Sequence, residues 1–319
     1  MKKRTLGNSG IEVSPLAFGG NVFGWTTDEK RSHELLEGFT GAGFNLIDTA
    51  NSYSRWVPGH KGGESETVIG NWLKKSGKRK EVIIATKVGS DMGLGRPCLS
   101  KEHIREQAEA SLQRLQTDYI DLYQTHFDDL TTPVAETMEA LAQLIKEGKV
   151  RAIGASNLSP QRLTESLEYS KQNNIAAYQT LQPEYNLYNR EKYEKEYEAI
   201  CIENDLGVIP YFSLASGFLT GKYRSEVDAG KSIRGSTIIE KYLNPRGFRI
   251  LQALDEVAHR YSTSLTSVAL AWLMAKPTIT APIASATSKD QLADLVKAVH
   301  LSLWKDEESI NQLDEASNY

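Results

Sequence analysis

Short runs of apolar residues recur along the chain, separated by longer stretches in which apolar positions return every three or four residues. Short continuous apolar runs are typical of strands buried on both faces, whereas the longer spacing is typical of helices that cover one side of a sheet. The pattern therefore predicts alternating strands and helices. Eight strands are predicted, at residues 16–18, 45–48, 82–87, 119–123, 150–154, 178–181, 207–211 and 280–283.

Helices are predicted in the intervals between these strands, and several have sequence signals at their ends. Ser100 and Ser159 are good N-cap residues, because a serine hydroxyl can accept a hydrogen bond from a free backbone N–H group. Thr26, with Glu29 three residues later, predicts a capping box, and Gly43 predicts the end of the first helix. The first six helices are predicted at residues 28–43, 64–75, 101–115, 133–147, 160–172 and 190–204.

Two segments lie outside this alternation. Turn residues between Leu6 and Ile11 separate two short extended runs and predict a β-hairpin. Between strands seven and eight, a polar loop at 221–244 precedes two further helices at 245–261 and 266–274. Eight βα units favour an α/β fold, a closed (β/α)8 TIM barrel with an N-terminal β-hairpin and extra helices, as a single domain over residues 1–319. The alternative is a doubly wound open sheet.

Composition narrows the class of protein. The formal net charge of -4 and the pI near 6.0 predict no nucleic-acid partner. The chain has no apolar run long enough to span a membrane and no signal-peptide pattern at its N-terminus. Cys98 and Cys201 do not form a C-x-x-C pair, which favours reduced thiols and a cytoplasmic protein. The histidines show no metal-ligand spacing, so no metal is predicted. The oligomeric state stays open.

Four side chains with catalytic chemistry follow three consecutive predicted strands. Asp48 ends the second strand and Tyr53 follows it; Lys87 ends the third strand, and His126 follows the fourth. In a parallel barrel, groups at the carboxyl ends of strands meet over one mouth. We therefore expect these four residues to form one site.

This set suits the reduction of a carbonyl group. Hydride that arrives at a carbonyl carbon leaves an alkoxide, which must be stabilised and protonated. The hydroxyl of Tyr53 can do both, and the ammonium of Lys87 would ease loss of its proton. Asp48 would hold Lys87 and compensate its charge. His126 would donate a second hydrogen bond to the substrate oxygen.

Three longer motifs accompany the four residues: GAGFNLIDTA at 41–50, LQRLQTDYID at 112–121 and GKVRAIGASN at 148–157. Together with Asp48, Tyr53, Lys87 and His126, they make the chain resemble the aldo-keto reductase superfamily over nearly its whole length. It is most similar to the bacterial and plant branch that includes perakine reductase and the potassium-channel β subunits.

The resemblance implies an NADPH-dependent enzyme that reduces aldehydes or ketones to alcohols, with Tyr53 as general acid assisted by Lys87, Asp48 and His126. It places the nicotinamide across the barrel mouth. The residues that it implies for the cofactor are Gly20, Asn21, Asp48, Ser156, Asn157, Gln182, Tyr211, Phe212, Ser213, Leu214, Lys222, Arg234, Ser285, Thr287 and Gln291.

The sequence departs from the family pattern near the adenosine end. Ser285 replaces a glycine, and Leu295 stands where an asparagine is common. NADPH remains the expected cofactor, through Lys222 and Arg234, and NADH is a possible one.

The residues expected around the substrate are largely aromatic: Trp25, Tyr53, Trp56, His126 and Phe127. Tyr185 is a further candidate. These side chains favour a small-molecule carbonyl substrate such as an aromatic or medium-chain aldehyde.

Two other functions fit parts of the same pattern. One is a Schiff-base aldolase with Lys87 as nucleophile, although a carboxylate beside this lysine opposes the neutral amine. The other is a nicotinamide-binding redox sensor or regulatory module with slow turnover, as the potassium-channel β subunits suggest.

Overall fold

The computed structural model describes residues 2–319 and contains ten strands. β1 and β2 pair antiparallel, which confirms the predicted hairpin, and the other eight pair parallel to their neighbours. The strands are β1 (Arg4–Thr5), β2 (Glu12–Val13), β3 (Ala17–Gly19), β4 (Leu46–Asp48), β5 (Ile83–Val88), β6 (Ile120–Thr125), β7 (Val150–Ser156), β8 (Thr180–Gln182), β9 (Gly207–Val208) and β10 (Ile283–Ala284).

The parallel sheet closes on itself. β10 pairs with β3 on one side. On the other side, the N–H of Thr280 donates to the carbonyl of Val208 at 2.7 Å, and that of Ile283 donates to Pro210 at 2.9 Å. These bonds join the last strand segment to the β9 segment, so that the sheet has no free edge. The (β/α)8 barrel is confirmed, and the alternative of an open sheet is wrong.

Helices surround the barrel. They are α1 (Glu29–Gly41), α2 (Glu64–Ser76), α3 (Lys101–Leu115), α4 (Val134–Lys146), α5 (Pro160–Asn173), α6 (Glu198–Glu203), α7 (Gly235–Tyr242), α8 (Pro245–Arg260), α9 (Leu265–Ala275), α10 (Lys289–His300) and α11 (Glu307–Ala316). α7 lies within the segment predicted as a polar loop, and a π-helical turn at Tyr193–Tyr197 leads into α6. α11 was not predicted from the sequence. None of the helices in residues 2–319 is both long and apolar enough to cross a membrane.

The helix ends follow most of the expected caps. The hydroxyls of Ser100 and Ser159 accept backbone N–H groups of α3 and α5, as predicted. Gly43 follows the end of α1 with a φ of 88°, a conformation that glycine adopts without strain. The predicted capping box of Thr26 is wrong, because the carboxylate of Asp28 directly precedes α1 and accepts the N–H of Arg31 instead.

The barrel interior is apolar at one end only. Inward side chains such as Leu46, Ala85 and Leu122 form a cluster that also includes Leu6 and Val13 of the hairpin segment. The hairpin therefore closes the end of the barrel at which the strands begin. Polar inward positions are left at the opposite end, where the strands finish, and this end holds the site.

Candidate active site

Strand periodicity explains why charged groups reach the centre of the barrel. Side chains two residues apart on a strand point to the same face. Asp48 lies two residues after inward Leu46, and Lys87 two residues after inward Ala85. Both side chains therefore point into the barrel interior, near the carboxyl ends of their strands. The register pairs Asp48 with Ala85 across β4 and β5, which brings the two charges side by side.

The ammonium of Lys87 is fully buried, and each of its protons has a partner. It donates to Asp48 Oδ2 at 2.7 Å, to the carbonyl oxygen of Thr49 at 2.7 Å and to Tyr53 Oη at 2.9 Å. A buried ammonium needs both an opposite charge and filled hydrogen bonds. Asp48 supplies the charge, while Tyr53 occupies the remaining direction, toward the mouth.

The phenol of Tyr53 is held in its protonated form. Burial raises the pKa of Tyr53 well above its usual value, and the neighbouring charge of Asp48 raises it further, despite the ammonium beside it. Burial also lowers the pKa of Lys87, against the effect of Asp48. The free site therefore presents a proton donor backed by a cation. In the free protein, burial and the charge of Asp48 outweigh the lowering of the Tyr53 pKa that was expected from Lys87.

Two glutamines hold the second oxygen of Asp48. Gln182 was among the residues predicted for the cofactor, whereas Gln124 was not predicted. Gln182 Nε2 donates to Asp48 Oδ1 at 2.9 Å, and Gln124 Nε2 approaches the same oxygen at 3.4 Å. Gln124 lies two residues after inward Leu122, so the strand periodicity could have identified it. These amides orient the carboxylate while its other oxygen bonds Lys87.

The imidazole of His126 stands beside Tyr53, with a ring-centroid distance of 5.9 Å. Burial and, to a smaller extent, the charge of Lys87 lower the pKa of His126 well below its usual value. The ring is therefore neutral at neutral pH. Its Nδ1 lies 2.8 Å from the hydroxyl of Ser90, a residue that was not singled out from the sequence.

Polar groups after β7, β8 and β9 form a continuous floor next to His126. Asn157 Nδ2 donates to the carbonyl oxygen of His126 at 2.8 Å, and Tyr211 Oη donates to Asn157 Oδ1 at 2.9 Å. The hydroxyl of Ser156 donates to the carbonyl of Gln182 at 2.8 Å. The structure thus brings together Ser156, Asn157, Gln182 and Tyr211, as predicted from the resemblance.

The segment after β9 turns sharply beside this floor. Phe212 has a φ of 51°, which is uncommon for a residue with a side chain, and its carbonyl oxygen accepts the side-chain amide of Asn186 at 3.0 Å. The hydroxyl of Ser213 donates to the carbonyl of Pro210 at 3.0 Å. Ser213 and Leu214 follow this turn, so backbone groups are the main polar groups that this segment can offer a ligand.

The expected adenosine side draws on two loops. The hydroxyl of Ser285 lies 2.7 Å from the carbonyl oxygen of Gly19 and 2.7 Å from Asn21 Oδ1, which joins the loop after β10 to the loop with Gly20 after β3. The N–H of Thr287 donates to Gln291 Oε1 at 2.8 Å. These contacts place the predicted residues Gly20, Asn21, Ser285 and Thr287 in adjoining segments at the mouth, with Gln291 beside them in the first turn of α10.

Lys222 and Arg234 are two of the positively charged residues in the long segment between β9 and β10. Lys222 Nζ lies 5.1 Å from the ring centroid of Tyr223, and Arg234 Cζ lies 5.5 Å from that of Trp25. Within residues 2–319, neither cation forms a salt bridge. Both charges are therefore free to meet an anionic ligand, although the structure places Arg234 against Trp25, a residue expected on the substrate side.

Aromatic side chains line the mouth above Tyr53. Trp56 lies 6.1 Å from Tyr53 and 5.3 Å from Trp25, and Phe127 stacks on His126 at 4.8 Å, all between ring centroids. Trp56 is 50% exposed and Phe127 is 43% exposed, so both offer apolar surface to a ligand. The structure does not bring Tyr185 to this group.

Tyr185 is instead fully buried, with its ring packed against Tyr193 and Trp272. The part of the chain that the structure describes also brings no three His, Cys, Asp or Glu side chains together as metal ligands would. At the mouth, Tyr53, Lys87, Asp48 and His126 thus lie together, with an amide floor on one side and aromatic rings on the other.

Sequence comparison with known proteins points to one family. The sequence model of the aldo/keto reductase family matches residues 15–318. The chain is 35% identical to an uncharacterized oxidoreductase, YrpG, of Bacillus subtilis, over 96% of this chain and 93% of that protein. It is 32% identical to a probable voltage-gated potassium channel subunit beta of rice, Oryza sativa, over 94% of this chain and 91% of that protein.

A third relative is the NADH-specific methylglyoxal reductase of Escherichia coli, which is 32% identical over 95% of each chain. Aldo-keto reductases are oxidoreductases that act on carbonyl compounds with a nicotinamide cofactor. With a family match over nearly the whole sequence and relatives above 30% identity that cover it, this chain belongs to the aldo/keto reductase family.

Proposed function

We propose that this protein reduces aldehydes or ketones to alcohols with NADPH, and that Tyr53 is the general acid. The observation that carries the proposal is the buried ammonium of Lys87, which bonds both Asp48 Oδ2 and Tyr53 Oη. This contact places a positive charge beside the phenol oxygen that must give up its proton, and in the free site the same hydroxyl donates to Asp48 Oδ2 at 3.3 Å.

A bound nicotinamide would supply the hydride. On the protein side, the hydroxyl of Tyr53 donates a hydrogen bond to the substrate carbonyl oxygen and passes its proton to that oxygen as negative charge develops. Lys87 stabilises the phenolate that remains, at a heavy-atom distance of 2.9 Å. His126 donates a second hydrogen bond and orients the carbonyl. Asp48 keeps Lys87 in place through the reaction.

The polar floor fits a nicotinamide. The side chains of Ser156, Asn157 and Gln182 carry hydroxyl and amide groups that could exchange their present contacts for those of a carboxamide, and the ring of Tyr211 stands beside them. Lys222 and Arg234 offer unpaired positive charge for phosphates. We assign the remaining contacts of the cofactor to Gly20, Asn21, Asp48, Phe212, Ser213, Leu214, Ser285, Thr287 and Gln291.

The cofactor preference is testable by steady-state kinetics. We expect kcat/KM to be about tenfold or more higher with NADPH than with NADH, because a charge-assisted hydrogen bond contributes roughly 1.5–3 kcal/mol. Arg234→Met should lower kcat/KM for NADPH more than for NADH. Equal kcat/KM with the two nucleotides would contradict the assignment, and a preference for NADH would match the name of the Escherichia coli relative.

The aromatic mouth favours aromatic or medium-chain aldehydes as substrates. The decisive measurement is the loss of nicotinamide absorbance with a panel of aromatic, aliphatic and dicarbonyl compounds. Turnover with aromatic aldehydes is the expected result. Binding of the nucleotide without turnover of any compound would instead favour a redox sensor or regulatory module with slow turnover.

A Schiff-base aldolase is a poorer fit. A nucleophilic lysine needs a free lone pair, whereas all three protons of the Lys87 ammonium are engaged by Asp48, Thr49 and Tyr53.

The cytoplasmic location stays a proposal, supported by the two free, buried cysteines, Cys98 and Cys201. The single-domain organisation over residues 1–319 also stays a prediction.

A further inference from the structure

We propose that Ser52 and Ser90 form a relay of two hydroxyl groups that holds His126 in the tautomer with its proton on Nε2. In this form the imidazole can only donate to a substrate oxygen from Nε2. The consequence for catalysis rests on the function proposed above, whereas the tautomer itself is a property of the free protein.

The relay is visible as two successive contacts. The hydroxyl of Ser52 donates to Ser90 Oγ at 3.1 Å, and Ser90 Oγ lies 2.8 Å from His126 Nδ1. Ser90 is only 6% exposed, so water does not readily replace either partner. Among residues 2–319, this is the only hydrogen bond that the imidazole ring makes to the protein.

The direction of the first contact determines the second. A serine hydroxyl carries a single proton. Because Ser90 Oγ accepts a hydrogen bond from Ser52 and does not donate one to it, the proton of Ser90 remains available for Nδ1. Nδ1 then acts as acceptor and carries no proton. A neutral imidazole holds its one proton on the other nitrogen, which here is Nε2.

The tautomer with its proton on Nδ1 would leave the hydroxyl proton of Ser90 without an acceptor. If Nδ1 carried the proton and donated to Ser90, the hydroxyl proton of Ser90 would need another partner. In the described part of the chain, Ser90 Oγ contacts only Ser52 and His126, and the geometry of the former contact suits Ser52 as the donor. The reverse arrangement would therefore cost one buried hydrogen bond.

The choice of tautomer matters because the ring is neutral. Burial and the charge of Lys87 keep the pKa of His126 well below its ordinary value. A protonated ring would donate from both nitrogens, whereas a neutral ring with its proton on Nδ1 would turn a lone pair toward the substrate oxygen and repel it. The relay excludes this second form.

The two serines lie close in the chain to two of the four site residues. Ser52 directly precedes Tyr53, and Ser90 follows β5, which ends one residue after Lys87. Gly89 brings Ser90 into position with a φ of 101°, at a point where a Cβ atom would lie 2.6 Å from Leu99 Cδ2. The relay thus ties His126 to the Tyr53 loop, and both serines are positioning residues.

Nitrogen-15 NMR of the histidine side chains, recorded at neutral pH without cofactor or substrate, tests the relay directly. The chain has six histidines, and His126→Gln assigns the signal. We expect wild-type His126 to show the Nε2–H pattern. Ser90→Ala should give a mixture of tautomers. Ser52→Ala should give a smaller change in the same direction, because no donor then holds the hydroxyl of Ser90 and its proton is free to turn away from Nδ1.

Ser54→Ala is the matched control. Ser54 is a buried serine in the same loop, but its hydroxyl donates to the carbonyl of Phe23 and does not contact His126. This variant should leave the tautomer unchanged even where it lowers the stability of the loop. A wild-type Nδ1–H pattern would overturn the relay, as would a His126 signal that neither Ser52→Ala nor Ser90→Ala alters.

Kinetics provide the second readout. Loss of one hydrogen bond of ordinary strength should lower kcat of Ser90→Ala about five- to tenfold. KM for the nucleotide should not change, and Ser90→Thr should restore kcat. An Nε2–H pattern in a protein without reductase activity would contradict the proposed function and leave the relay standing. Full reductase activity in a wild-type protein whose His126 carries its proton on Nδ1 would overturn the relay and leave the proposed function standing.

Discussion

Replacement of Tyr53 with phenylalanine should nearly abolish carbonyl reduction while the nucleotide still binds. General acid catalysis contributes about 10²- to 10⁴-fold to rates, and we expect a loss of kcat in this range. The loss follows from geometry, because within the described residues the phenol is the group that both contacts Lys87 Nζ and stands beside His126. Stopped-flow measurement of a single turnover would check it.

Nucleotide affinity provides the control for this variant. The ring of Tyr53 is retained in Tyr53→Phe, and the amide floor around Asn157 does not depend on its hydroxyl. The Kd of NADPH, measured by quenching of tryptophan fluorescence, should therefore stay within a factor of about two, since the hydroxyl adds no contact to the floor. Reduction at a rate close to wild type would show that another group delivers the proton.

The second large effect concerns stability. Lys87→Met should lower the free energy of unfolding by about 3–5 kcal/mol, because it leaves the carboxylate of Asp48 buried without its cation. Asp48 retains Gln182 and Gln124 as hydrogen-bond donors, but an amide does not compensate a full charge. Equilibrium unfolding in urea, followed by circular dichroism, measures the change.

A double variant separates the charge effect from lost packing. Asp48→Asn combined with Lys87→Met removes both charges, and it should recover much of the stability that Lys87→Met loses. Lys195→Met is the matched control. Lys195 forms an exposed ion pair with Glu191 at 2.7 Å, and its loss should cost less than about 1 kcal/mol. Similar losses for Lys87→Met and Lys195→Met would show that the buried pair is not stabilising.

In the site, burial and neighbouring charges both shift the pKa values of the ionisable side chains, and for Lys87 they act in opposite directions. Burial lowers the pKa of Lys87 and raises that of Tyr53, so burial alone favours two neutral groups. Asp48 restores the charge of Lys87, and Lys87 in turn is ready to stabilise the phenolate when it forms. His126 is kept neutral by the same burial and the same cation. The charge states of Lys87, Tyr53 and His126 thus depend on the groups around them.

Much of the barrel was encoded locally and could be predicted from the chain alone. Apolar runs marked the eight strands, serines marked the starts of α3 and α5, and strand ends marked Asp48, Lys87 and His126 as groups that would share one mouth. These features depend on spacing along the chain, because burial of strands on both faces and the alternation of side chains act over a few residues.

Other features depend on contacts between distant segments, and only the tertiary structure decided them. Gln124 bonds Asp48, and Ser90 bonds His126, because barrel closure brings separate strands and loops together. The helix α7 forms within a segment whose polar composition predicted a loop, and Tyr185 packs inside rather than at the mouth. Spacing along a chain can predict the face of a strand on which a side chain lies. It cannot predict which partner that side chain meets, since the partner is set by register, closure and burial.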